Sequence, residues 1–304
     1  MASTLDISLE STLTGHQNPV FALAQPVHST VLYTGGNDKG VVEWDLKEMK
    51  FKRILCKVGS SVYKLLSIPD SDLLAIGLRS GQLLLVDTQK QSLVANWNTE
   101  SGAIFDIKLI PSKRELIAIG EEGFAYVWSL DSLELLYRFK VSDTTARVIS
   151  LSEDGKLLAF GDKLGMIHVH DAYDFHKYLK EPIHELPVTA LRFMNGELIS
   201  GGRDAKINRL DPKTLEKKQS LVPHMFTVYG IDSSADNNFL VTVSRDKTIK
   251  IWRTSDWGLL KNISRDKGIE SHHLSINNVL WQDDRIFTVS DDKSIKIWKV
   301  ETPH

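Results

Sequence analysis

Cysteine is almost absent from this sequence: Cys56 is the only one in 304 residues. An internal disulfide is therefore excluded, and so are zinc sites built on cysteine pairs. A chain with so few thiols suits a reducing compartment, and a cytoplasmic location is expected, or a nuclear one in a eukaryotic cell. No apolar run approaches the ~18–20 residues that a membrane span needs, so no membrane contact is expected. Met1 to Thr14 contains no apolar block of the signal-peptide kind, and secretion is not expected. An excess of either charge is missing too, since 37 Lys and Arg face 39 Asp and Glu for a net charge of −2. That balance gives no bulk attraction to nucleic acid or anionic lipid. Sustained helical periodicity and low-complexity linkers are also lacking, so nothing divides residues 1–304 into separate domains.

What the sequence has is repetition. Ser244-Arg245-Asp246-Lys247-Thr248-Ile249-Lys250-Ile251-Trp252 returns as Ser290-Asp291-Asp292-Lys293-Ser294-Ile295-Lys296-Ile297-Trp298. A polar turn carrying Asp, followed by an alternating β-branched run, reads as a tight hairpin entering a half-buried strand. Walking back from Trp252 and Trp298, the same slot falls at Leu210, His170, Trp128, Val86 and Trp44. The spacings along the chain are 42, 42, 42, 40, 42 and 46 residues. Seven units in phase require one architecture repeated.

Within a unit the pattern is four strands separated by turn residues. The second unit predicts strands over Val62 to Ile68, Leu73 to Gly77, Gln82 to Val86 and Leu93 to Trp97, with Pro69 to Asp72 and Arg79 to Gly81 as turns. Four short strands every 40 to 46 residues indicate a single all-β, seven-bladed propeller of four-stranded antiparallel blades. The seventh unit has only Lys299 to His304 after its third strand, which would leave an open edge. Residues 5–13, with alternating apolar side chains, supply the missing strand, and they are expected to close the ring. Residues around Arg265 to Ser271 read as a longer surface loop.

These motifs resemble the WD40-repeat family over essentially the whole chain: Gly15-His16 followed by Trp44-Asp45, and the repeated Ser-x-Asp-Lys-x-Ile-Lys-Ile-Trp. The resemblance implies a buried tetrad of His, Ser or Thr, Asp and Trp within a blade. Matched by position, these are His16, Thr34, Asp38 and Trp44 in the first blade, and His224, Thr242, Asp246 and Trp252 in the sixth. The seventh offers His272, Thr288, Asp292 and Trp298, while the fifth keeps His184, Ser200 and Asp204 with Leu210 in the Trp slot. Blades 2, 3 and 4 depart from the pattern, with Ser80, Glu122 and Leu164 in the Asp slot.

A hydrolase reading of these His, Ser and Asp residues fails because they recur as framework, with no nucleophile set in a pocket. Neither clustered carboxylates nor a nucleophile–base pair supports catalysis, so the protein is not expected to be an enzyme. His168 and His170 share one strand face, yet no further ligand set accompanies them, and no metal or other cofactor is expected. The Gly35-Gly36 and Gly201-Gly202 pairs precede hairpin turns instead of helices, which argues against a phosphate cradle.

The resemblance also implies which columns reach the top face. The residue after the first apolar position of each first strand gives Phe21, Tyr63, Phe105, Arg147, Thr189, Tyr229 and Asn277. The residue before the tight-turn Asp gives Asn37, Arg79, Glu121, Lys163, Arg203, Arg245 and Asp291. Aromatics combined with Arg concentrate at the energetic centres of protein interfaces. Five cations against Glu121 and Asp291 make this face basic on a slightly acidic molecule. The expectation is a scaffold or adaptor, a monomeric ring within a larger complex, that docks an acidic or phosphorylated protein segment here. Single-stranded nucleic acid is the alternative ligand, because stacking aromatics with Arg suit it as well. In the repeated stretch, Asp246 and Trp252 belong to the framework, whereas Arg245 is expected to point into the mouth.

Overall fold

The computed structural model describes residues 5–100 and 102–301. The outermost positions of the expected 1–304 domain, and Ser101, lie outside the described residues. The described residues form twenty-eight strands in seven four-stranded sheets, each antiparallel throughout. The first strand, β1 (Asp6–Leu13), stands apart from its neighbours in sequence. Blade 1 is β2 (Val20–Ala24), β3 (Val31–Gly36), β4 (Gly40–Asp45) and β5 (Lys50–Lys57). Blade 2 is β6 (Val62–Ser67), β7 (Leu73–Leu78), β8 (Gln82–Asp87) and β9 (Ser92–Asn98), and blade 3 is β10 (Ile104–Ile110), β11 (Glu115–Gly120), β12 (Phe124–Ser129) and β13 (Leu135–Lys140). Blade 4 comprises β14 (Ala146–Leu151), β15 (Leu157–Asp162), β16 (Met166–Asp171) and β17 (Lys177–Pro182). Blade 5 follows with β18 (Val188–Met194), β19 (Glu197–Gly202), β20 (Ile207–Leu210) and β21 (Lys217–Leu221). Blade 6 has β22 (Val228–Ser233), β23 (Phe239–Ser244), β24 (Ile249–Arg253) and β25 (Leu259–Ile263), and blade 7 has β26 (Ile276–Gln282), β27 (Arg285–Ser290) and β28 (Ile295–Glu301).

The seventh sheet is completed as expected. β1 pairs with β28 from Asp6 opposite Glu301 to Leu13 opposite Ile295. A bidentate pair from Arg285 to Glu10, at 2.6 and 2.7 Å, ties β1 to β27 as well. Leu13 is buried against Trp44 and Leu32 of blade 1, so the closing strand joins two blades. The segment at Arg265–Lys267 is a short 3-10 turn ending at Gly268.

Packing explains why the blades form a ring. The middle strands are buried on both faces, as in β3, β7 and β27. They read as nearly continuous apolar runs, not as alternating ones. Each apolar cluster takes members from two neighbouring blades: Ile117 and Val127 of blade 3 meet Ile149 and Phe160 of blade 4. The outermost strands instead carry exposed lysines, including Lys50, Lys52, Lys177, Lys180, Lys217 and Lys218. Charge on an open edge discourages pairing with other chains.

Candidate functional site

The framework decides what remains free to bind. In blade 1 the imidazole of His16 lies 2.6 Å from Asp38 and 2.8 Å from the Thr34 hydroxyl, and the Trp44 indole N–H donates to that hydroxyl at 2.7 Å. Blades 6 and 7 repeat the arrangement, with His224 at 3.0 Å from Asp246 and His272 at 2.9 Å from Asp292. A carboxylate only accepts, so Nδ1 carries the proton and the threonine hydroxyl donates to Nε2. Burial lowers the pKa of His16 and His224 against the opposing pull of their aspartates. Burial works to raise the Asp246 and Asp292 carboxyls, but hydrogen bonds and charge from the paired histidines outweigh it. Both stay well below the ordinary carboxylate range. In blade 5, with Leu210 buried in the Trp slot, the Asn208 amide approaches His184 Nε2 at 3.2 Å.

Blades 2 to 4 lack the tetrad because its hydroxyl position is apolar: Ile76, Ala118 and Phe160 are all buried there. Blade 4 rebuilds a polar network that the sequence reading missed. Ser142, in the histidine position, donates to Asp162 at 2.7 Å, and His168 from the third strand reaches the same oxygen at 2.9 Å. His168 is thus committed to a carboxylate. His170 fills the Trp slot, and its Nδ1 donates to the Phe175 carbonyl at 2.9 Å. Among the described residues no cluster of three or more His, Cys, Asp or Glu side chains could hold a metal.

The first column is produced by a device that recurs in all seven blades. Phe21, Tyr63, Phe105, Arg147, Thr189, Tyr229 and Asn277 each sit at the register shift between the first and second strands. A β-bulge leaves one residue unpaired and re-aims its side chain. All seven line the central channel, a cavity of about 1060 Å³. Phe21 meets Tyr63 edge-on at 5.8 Å, Tyr63 stacks on Phe105 at 5.7 Å, and the Arg147 guanidinium lies 5.2 Å from the Phe105 ring centre. A continuous aromatic arc ending in Arg147 therefore lines blades 1 to 4. Asn277 hydrogen-bonds to Asp291 at 2.8 Å.

The second column is anchored by one backbone hydrogen bond repeated seven times. The amides of Asn37, Arg79, Glu121, Lys163, Arg203, Arg245 and Asp291 donate to the carbonyls of Pro19, Ser61, Ala103, Thr145, Pro187, Thr227 and Ser275 at 2.8–3.1 Å. Both columns thus lie at the same end of the ring. Of the second column only Asp291 lines the channel, and the other six are exposed on the turns around it. Arg245 does not point into the mouth; its guanidinium lies 5.9 Å from the exposed Phe226 ring. The physical reason is its place outside the ladder, on the hairpin turn.

The same face carries apolar residues that the sequence reading did not single out. Leu186, Met225, Phe226 and Leu274 follow the tetrad histidines of blades 5 to 7, and Met225 is 82% exposed. Leu164, on the blade 4 turn, is also exposed. Their signal was available: each lies one or two residues beyond a tetrad histidine, or in the Asp slot. Among the described residues no helix is long and apolar enough to cross a membrane.

Comparison with known proteins agrees with this geometry. The family described as "WD domain, G-beta repeat" matches residues 7–45, 215–253 and 266–299. The chain is 24% identical over 257 residues to the Arabidopsis thaliana "WD repeat-containing protein WDS homolog", covering 81% of this chain and 49% of that protein. It is 24% identical over 219 residues to Eukaryotic translation initiation factor 3 subunit I of Aspergillus oryzae, covering 64% of this chain and 65% of the relative. It is 23% identical over 251 residues to the Bos taurus "Target of rapamycin complex subunit LST8", covering 77% and 76%. The chain thus spans from about half to three quarters of these relatives' lengths. The matched stretches fall in phase with blades 1, 6 and 7 of a closed seven-bladed ring, so the chain carries WD40-type repeats on a seven-bladed propeller.

Proposed function

We propose that the protein is a non-enzymatic scaffold that docks an acidic or phosphorylated segment of a partner protein on its top face. The carrying observation is the continuous arc Phe21–Tyr63–Phe105–Arg147 at the channel mouth, beside Arg203 and Arg245 on the turns. Rigid aromatics bury area at low entropic cost, and exposed Arg supplies forked donors for carboxylate or phosphate. Leu186, Met225 and Phe226 extend the face with apolar anchors next to those arginines. Two relatives are named as subunits, of an initiation factor and of a target of rapamycin complex, which supports partners that are proteins. The coplanar stack of Tyr63 on Phe105, 16° between planes, favours single-stranded nucleic acid as the second reading.

The test is parallel affinity purification of wild type and a Phe21→Ala, Tyr63→Ala, Arg203→Glu triple variant of unchanged melting temperature. Partners retained by wild type should be lost by the variant, and identical partner sets would move the binding surface elsewhere. Competition between an acidic peptide and a single-stranded oligonucleotide for the wild-type protein then separates the two readings.

A further inference from the structure

The channel itself carries an unbalanced feature. Eight charged side chains line it: Lys64, Asp106, Lys108, Arg147, Glu153, Arg192, Asp232 and Asp291. Six are committed to partners within the protein. Lys64 pairs with Asp106 at 2.8 Å and Arg192 with Asp232 at 2.5 Å. Both aspartates also accept backbone amides, from Ile149 at 2.8 Å and Trp281 at 2.7 Å. Asp291 accepts from the Asn277 amide at 2.8 Å, and Glu153 from that of Asn237 at 2.6 Å. The two left over are both cations and come from adjacent blades. Among the described residues Lys108 makes no hydrogen bond or ion pair, and the buried Nε of Arg147 has no acceptor. Burial, with the neighbouring charges of Lys64 and Arg192, pushes the Lys108 ammonium below its usual range against the attraction of Asp106 and Asp232, which are already paired to Lys64 and Arg192.

We propose that the central channel is an oxyanion site in which Lys108 and Arg147 bracket a tetrahedral phosphate-type group. Arg147 stands at the level of the bulge residues, and Lys108 lies three residues further along its strand than the bulge residue Phe105. At the rise of an extended strand that is about 10 Å, a gap that two long side chains can close upon a group presenting several acceptor oxygens. Low-dielectric walls focus the field of these cations along the channel. The group is supplied either by a free phosphate or by a phosphorylated side chain entering from the mouth; the second source rests on the docking reading above, and the first does not.

The probe is inorganic phosphate, titrated calorimetrically at constant ionic strength maintained with sodium chloride. Wild type should bind it saturably, sulfate should compete, and chloride should not. Lys108→Met and Arg147→Met should each weaken binding at least tenfold, while Lys180→Glu on β17 leaves it unchanged. Lys108→Arg, which keeps the cation, should restore it. No saturable binding by wild type overturns the proposal, as does wild-type affinity in both methionine variants. A phosphoserine peptide that binds more tightly than phosphate, and competes with it, assigns the group to a partner segment. Phosphate binding that such a peptide leaves untouched assigns the site to a free anion. Phosphate binding that survives in a triple variant shown to have lost its partners separates this site from the docking face.

Discussion

At the residue scale, the tight turns show two solutions to one backbone problem. The residue after the Asp slot is left-handed in every blade: Lys39, Ala205, Lys247 and Lys293 where Asp is present, and Gly81, Gly123 and Gly165 where it is not. In blades 5 to 7 the Asp carboxylate accepts the amide two residues on, from Lys206, Thr248 and Ser294, and this holds the turn. Without Asp, glycine removes the Cβ penalty. At Gly123 a Cβ would also meet the carbonyl oxygens of Ser142 and Thr144 at 2.2 Å. Asp246→Ala removes the acceptor for His224, Thr248 and the Met225 amide. It should cost about 1.5–3 kcal/mol by denaturant unfolding, as expected for hydrogen bonds to a charged group. Glu122→Ala, at the equivalent slot but exposed, should stay within about 0.5 kcal/mol.

His170 gives a pH prediction at the same scale. Burial beside Phe160 and Phe139 pushes its pKa from 6.5 down to about 4. The unfolded chain therefore takes up a proton below pH 6.5 while the folded chain does so only below about 4, and stability rises with pH between those values. On acidification from 6.5 to 4 this residue alone should withdraw about 3 kcal/mol. His16 and His224, also lowered, act in the same direction. Unfolding free energies measured at pH 7 and 4.5 should fall less in His170→Phe than in wild type, and equal falls would place the proton uptake elsewhere.

At the scale of elements, strand existence and phase were legible in the sequence, because a repeat near 42 residues marks each strand seven times over. The four strands expected over Val62 to Trp97 are β6 to β9. The bulges were not legible, since a register shift is a relation between two strands and neither encodes it alone. The blade 4 network was missed for a related reason: its Asp162 lies two residues before the matched slot, and its imidazole comes from another strand. Closure of the ring rests on β1, whose backbone pairs along the whole of β28. Deleting residues 1–13 exposes the edge of β28 and uncovers Trp44, so light scattering should detect aggregation, or thermal melting a large fall in midpoint. A truncated protein that melts and scatters like wild type would show that the ring closes without β1.

At the scale of the molecule, the top face has two unlike halves. The half-buried arc of Phe21, Tyr63 and Phe105 lies inside the mouth of blades 1 to 3, whereas exposed Leu186, Met225, Phe226 and Leu274 crown blades 5 to 7. The crown sits on blades that keep the His–Asp pair, which fixes the loops that present it. A rigid ring offers such a surface with little ordering cost on binding, the physical advantage of a scaffold. The partner comparison with the triple variant reads at this scale, because its three substitutions lie on three different blades.

The amino-acid sequence by itself determined the seven units and their strands, because these are periodic, and the closing role of residues 5–13, because the seventh unit is one strand short; the tetrads of blades 1, 6 and 7 were implied by the family resemblance. Only the tertiary structure decided which side chains share the channel, that Arg245 lies over Phe226, and that, among the described residues, Lys108 is in no ion pair and the buried Nε of Arg147 has no acceptor. The channel lining depends on contacts between blades some 40 residues apart in the chain, which closing the ring brings together, and the place of Arg245 depends on how the turns of one blade stack.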